Sequence, residues 1–164
     1  MVGSDFSYII NTLYALFAMT LIIFMVPGFA MLEAGIVRTK NASSVYAIAS
    51  LAFLLIGYKI AFGDFGSATM SQWAFFMFQM AFVGKTINIM SGGVSERAKI
   101  IPLSIFAVIM AAVIYPIAVN ITWGKDFLKD TMLDLTLYDL AGSTVIHSVG
   151  GWALLAAIIV IGPR

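Results

Sequence analysis

Tyr138-Asp139-Leu140-Ala141-Gly142-Ser143-Thr144-Val145-Ile146-His147-Ser148-Val149-Gly150-Gly151-Trp152 opens an apolar run that continues to Ile161. The run has the roughly 20 residues that a helix needs to cross the hydrocarbon core of a bilayer. His147 is the only histidine in the chain and falls inside this run. An imidazole at membrane depth gives up water, so its position calls for a polar partner or a function. Asp139 stands just ahead of the run, where a carboxylate can accept bonds from the free N–H groups of a first helical turn and meet the positive end of the helix.

The rest of the chain has the same character. Of its 164 residues, 62% are hydrophobic and only 10% charged. A soluble domain carries about 25% charged residues. Four further runs reach membrane length, about 8–32, 43–63, 70–92 and 100–122, beside 142–162. The expected architecture is an all-α integral membrane protein of five transmembrane helices in one domain, 1–164. Strand alternation is absent, so a barrel is not expected. A net charge of +1 with no Lys/Arg-rich run gives no footprint for nucleic acid. There is no cysteine, so thiolate metal sites and disulfides are excluded. No basic segment precedes the first apolar run, so a cleaved signal peptide is not expected.

Basic residues in short loops set orientation. Arg38, Lys40, Arg97, Lys99 and Arg164 fall on one side, and Lys125 and Lys129 on the other. Five against two places the N-terminus outside and the C-terminus in the cytoplasm.

Several residues stand out within the runs. Pro27-Gly28 lies in the first, where proline removes a backbone bond, and Glu33 follows near its end. Small residues at Gly28, Ala30, Ala34 and Gly35 permit close helix contact. Lys59 is near enough to an end to snorkel, and Glu96 and Arg97 are placed to pair. Phe78 and Phe82, four apart, share one helical face, and Lys85, three further, shares it too. A lysine at mid-span costs roughly 2.5–3.5 kcal/mol on insertion scales, so Lys85 should face a polar interior. Trp123 ends the fourth run, as an interfacial anchor does. No nucleophile–base pair, metal cluster or phosphate loop appears, so neither an enzyme nor a cofactor is expected.

Together these stretches resemble the ammonium transporter (Amt/Mep/Rh) family. Asp139 to Trp152 is similar to its fifth-helix signature. Pro27-Gly28-Phe29-Ala30-Met31-Leu32-Glu33-Ala34-Gly35, Gly57-Tyr58 with Ala61-Phe62-Gly63, Phe78-Gln79 with Phe82, and Ser91-Gly92 with Glu96-Arg97 follow the order of its first three helices. The resemblance implies that Trp123 and Phe78 help form an outer aromatic site recruiting ammonium, and that Phe82 closes the pore beneath it. Asp139 would stabilise the cation without touching it. His147 would be the first of two pore-lining histidines that handle the proton of ammonium or ammonia. It also implies a trimer of subunits, each with its own pore.

Family members have about eleven spans in two inverted halves, and this chain resembles the N-terminal one. The second histidine, the second gating phenylalanine and a polar partner from the sixth helix are not in it. Two copies inserted the same way round cannot reproduce an inverted pair. The expected partners are therefore ammonium or ammonia, the lipid bilayer, and either further copies or a chain carrying the complementary half. Lys85 stands where the family leads one to expect a small or hydroxyl residue. That substitution leaves a second class of function open, a non-conducting ammonium sensor or regulatory membrane module, and a third, a membrane scaffold.

Overall fold

A computed structural model of the chain describes residues 2–36, 42–64, 69–94, 97–123 and 139–162. All regular structure among them is helical. Helix α1, Val2–Ile36, runs 35 residues through Pro27, about 52 Å at 1.5 Å per residue, and so extends past the expected 8–32. Next come α2 (Ala42–Ala52) and α3 (Tyr58–Phe62), joined by the π-turn Phe53–Gly57. Helix α4 is Gln72–Val94, and α5 (Ile100–Ile109) joins α6 (Tyr115–Thr122) through the π-turn Met110–Ile114. A third π-turn, Ser143–Ser148, leads into α7, Val149–Ile161. Among the described residues, four segments are long and apolar enough to cross a membrane: Asp5–Met25, Val45–Phe62, Ile100–Thr122 and Ser143–Ile161. Helix α4 is long enough but carries more polar residues, Gln79, Lys85, Thr86, Asn88 and Ser91 among them, all buried.

That polarity marks α4 as the central helix, since a polar side chain is shielded from lipid only inside a bundle. It packs against α1, α2 and α7. Close approach depends on small residues. Gly84 lies under the Tyr46 ring of α2, and Gly93 lies under the Leu154 side chain of α7, in each case too near for an added Cβ. From the other side, Gly150 of α7 is seated on the Thr86 carbonyl and the Ile89 side chain.

The π-turns have local causes. Pro116 cannot donate a backbone bond, and its ring crowds the carbonyl four residues back. The widened turn just before it relieves this, with the Tyr115 N–H donating to the Met110 carbonyl five residues back. The first two π-turns pack on each other, and Gly57 meets the Ala111 backbone carbonyl there. The Asn120 amide then donates to the Ile60 and Ala61 carbonyls at 3.0 and 3.2 Å, tying α6 to the end of α3. At the same end of the bundle, Asn11 Nδ2 donates to the Thr69 carbonyl at 3.1 Å. The Ser71 N–H donates to Thr12 Oγ1 at 2.9 Å, fixing α1 to the start of α4.

Charged residues at the helix ends behave as their chemistry requires. Lys59 pairs with Asp64 at 3.0 Å, both largely exposed. Arg97 donates from Nη2 to the Gly93 carbonyl at 3.1 Å and from Nη1 to the Gly162 carbonyl at 2.5 Å. One guanidinium therefore caps the C-terminal ends of α4 and α7 together. The pairing expected with Glu96 lies outside the described residues, as do the Glu33 side chain, Arg38, Lys40, Arg164 and the stretch from Lys125 to Tyr138.

Candidate functional site

The site is assembled where α4, the end of α6 and the third π-turn meet. Phe78 and Phe82 are one turn apart on α4 and form an edge-to-face pair, with centroids 4.9 Å apart and planes at 75°. Phe82 also lies against the Trp123 ring, at 5.9 Å and 49°. Trp123 closes α6, its N–H donating to the Val119 carbonyl at 2.7 Å. Its indole Nε1 donates to the backbone carbonyl of Asp139 at 2.6 Å. The indole is thus held at both its backbone and its ring nitrogen, and three aromatic rings stand in a row. Aromatic faces so arranged attract cations through their quadrupoles.

The Asp139 carboxylate organises the turn that follows. Oδ1 accepts from the N–H groups of Gly142 and Ser143 at 2.8 and 3.0 Å. Oδ2 accepts from Thr144 and Val145 at 2.8 and 2.9 Å. Partial burial alone would raise its pKa. The N–H donors of Val145, Thr144, Gly142 and Ser143 outweigh that and hold the carboxyl below the usual aspartate value. Four donors converge on one side chain because Gly142 takes φ +84°, a left-handed conformation in which an added Cβ would meet the Ile146 side chain and come within 3.3 Å of the Trp123 ring. Glycine is the residue that adopts it without strain.

His147 follows on the π-turn. Its N–H donates to the Gly142 carbonyl at 3.4 Å, and ring Nδ1 lies 3.5 Å from the same carbonyl, too long for a firm bond. The sequence places this imidazole inside an apolar run; in the fold its ring is exposed on the surface of the chain. The reason is geometric. His147 sits in the first turns of the helix, on the side opposite the buried pair Val145 and Ile146. Trp152 and Leu155 continue that exposed face, with the half-buried Gly151 beside them and Trp152 69% exposed.

Lys85 is 2% exposed, on the α4 stripe it shares with Phe78 and Phe82. Gln79, next to Phe78, is also buried, and its Oε1 has no hydrogen-bond partner among the described residues. The fold therefore joins Phe78, Phe82, Trp123 and Asp139 into one contiguous set, with His147 a turn beyond Asp139's cap. Two contributors have no strong signal in the sequence: Gly142, whose left-handed turn aims the four donors, and the Asp139 backbone carbonyl, which holds Trp123 from 16 residues away.

Comparison with known proteins adds what geometry cannot. Residues 13–164 match the model of the Ammonium Transporter Family. The chain is 35% identical to ammonium transporter Amt1 of Methanocaldococcus jannaschii, over 94% of this chain and 42% of that protein. It is 33% identical to ammonium transporter Amt2 of Archaeoglobus fulgidus, over 94% of this chain and 39% of that protein. A solved structure titled Sensor Amt Protein superposes with a TM-score of 0.80 at 30% identity, covering 98% of this chain and 46% of that one. The chain thus spans about two fifths of the length of the curated relatives it matches. With its helical bundle and the ordered motifs from Pro27 to Trp152, this chain belongs to the Ammonium Transporter Family.

Proposed function

We propose that this chain is the N-terminal half of an ammonium or ammonia pore, lodged in a cell membrane with five spans, its N-terminus outside and its C-terminus in the cytoplasm. Helix α4 is the third span in chain order, polar because it faces the bundle interior. The observation that carries the reading is the Trp123–Asp139 bond beside the Phe78–Phe82 pair. Trp123 and Phe78 recruit the cation by their faces, and Phe82 closes the path beneath. Both Asp139 oxygens are taken up by backbone N–H groups, so the carboxylate acts on the cation through its field and not as a ligand. His147, whose imidazole offers one nitrogen that donates and one that accepts a hydrogen bond, lines the pore and passes the proton on. The exposed face of His147, Trp152 and Leu155 is the surface that a complementary half covers, and complete pores assemble as trimers.

A second reading, an ammonium sensor that does not conduct, is favoured by Lys85 and by the likeness to a structure titled Sensor Amt Protein. A buried ammonium head on the Phe78–Phe82 stripe competes with the transported cation for the same field. The two readings separate experimentally. Vesicles holding the chain and a complementary half should take up radiolabelled methylammonium if it conducts. Thermal stabilisation by ammonium without uptake selects the sensor, and neither response overturns both readings.

A further inference from the structure

Gln79 stands between Phe78 and Phe82 in α4, 5% exposed, and its enclosed Oε1 has no hydrogen-bond partner among the described residues. A buried amide oxygen without a donor is costly, so this one calls for a donor that arrives from elsewhere. Its placement narrows the choice. Phe82 is three residues on, and residues three apart are neighbours on a helix surface. Helical side chains lean toward the helix N-terminus. For α4 that is the end tied to Thr12 through Ser71, the end at which Trp123 closes α6. The Gln79 amide therefore extends from beside Phe82 toward the outer part of the aromatic row.

The other acceptors around that row are engaged. Both Asp139 oxygens hold the turn beyond, the Asp139 carbonyl holds the Trp123 indole, and the Gly142 carbonyl receives the Ile146 N–H. We propose that Gln79 is a specificity residue of the aromatic site. Its Oε1 accepts an N–H of an ammonium or primary alkylammonium ion as the ion moves from the Trp123 and Phe78 faces past Phe82. Ring faces attract small cations through charge. A buried amide oxygen adds a directional bond that a cation without N–H groups cannot make. Withdrawn from water, that bond is stronger than it would be at the surface. The amide is neutral, so it favours the ion without trapping it as a carboxylate would. This inference rests on the reading of the aromatic row as a cation site.

The test uses the full chain in nonionic detergent, titrated with ammonium chloride while tryptophan fluorescence is followed, with sodium chloride at matched ionic strength as the blank. Tetramethylammonium, which has no N–H group, is titrated in parallel. Gln79→Leu should weaken ammonium binding about tenfold, the effect of one hydrogen bond to a charged group, and leave tetramethylammonium unchanged. Gln79→Glu keeps an acceptor and adds charge, so it should bind ammonium more tightly than the parent; it carries the test if the leucine variant fails to fold. Equal ammonium affinity in the parent and Gln79→Leu, or no tighter binding in Gln79→Glu, overturns the proposal and leaves the aromatic site standing. Equal losses for both cations in Gln79→Leu also overturn it, because the residue would then act through the shape of the row. A parent that does not respond to ammonium overturns the aromatic site itself, and this proposal with it.

Discussion

The indole N–H of Trp123 donates to the backbone carbonyl of Asp139 at 2.6 Å, and the side chain of the same aspartate accepts four backbone N–H groups from the turn beyond. One residue therefore holds an aromatic ring with its main chain and starts a helix with its carboxylate. Damage at Asp139 should reach Trp123, and through it Phe82.

Asp139→Ala removes both acceptor oxygens from four donors. Loss of a cap of this kind costs about 0.5–2 kcal/mol, and four donors on one carboxylate place the cost at the upper end. The melting temperature in detergent should fall, and tryptophan fluorescence should show a repositioned indole. An unchanged melting temperature would mean that water satisfies those N–H groups equally well.

The same bonds set a pH dependence. The folded carboxyl titrates below its unfolded value of about 3.9. The stability it contributes is therefore fully present above that value and is lost as pH falls through the folded pKa. Melting temperature should decline on acidification below about pH 4, and Asp139→Asn should flatten that part of the profile. A profile that is identical in parent and variant would assign the acid limb to other carboxylates.

Gly142→Ala tests the left-handed turn. A non-glycine residue at φ +84° costs about 1–2 kcal/mol, and here its Cβ also meets the Ile146 side chain. Both stability and the Trp123 environment should change, since the Trp123 ring lies 3.3 Å from the added carbon. A stable variant with an unaltered tryptophan spectrum would show that the turn can be reached another way.

Gly57→Ala tests the contact between the first two π-turns. The new methyl meets the Ala111 backbone carbonyl, which a rotamer change cannot move aside. Overpacking of this sort costs about 1–3 kcal/mol, so expression and melting temperature should both drop. A neutral outcome would show that α3 and α6 can separate without loss.

Much of this was legible in the sequence, for reasons that differ by residue. Four of the five apolar runs reappear among the described residues as segments long and apolar enough to cross a membrane, because length and apolarity together mark such a helix. Phe78 and Phe82 meet because a four-residue step returns to the same helical face. Asp139 caps because a carboxylate before a helix finds free N–H groups. What was hidden depends on neighbours. The π-turns form where Pro116 and the Gly57–Ala111 contact reshape a helix, and neither effect has a periodic signature. His147 looks buried when the run is read as a line, yet its ring lies on the outer side of the first turns. Arg97 caps Gly162 from 65 residues away, a partner that sequence adjacency to Glu96 obscured.

His147 gives the most direct measurement. Vesicles containing the chain with a complementary half, and matched vesicles with His147→Leu, are loaded and assayed for radiolabelled methylammonium uptake at neutral pH. Leucine suits the exposed apolar face around His147, so folding is preserved while the proton-handling ring is removed. The pore reading expects uptake in the parent and its loss or strong reduction in His147→Leu. Uptake that is equal in the two, with both correctly folded, would contradict a pore lined by His147.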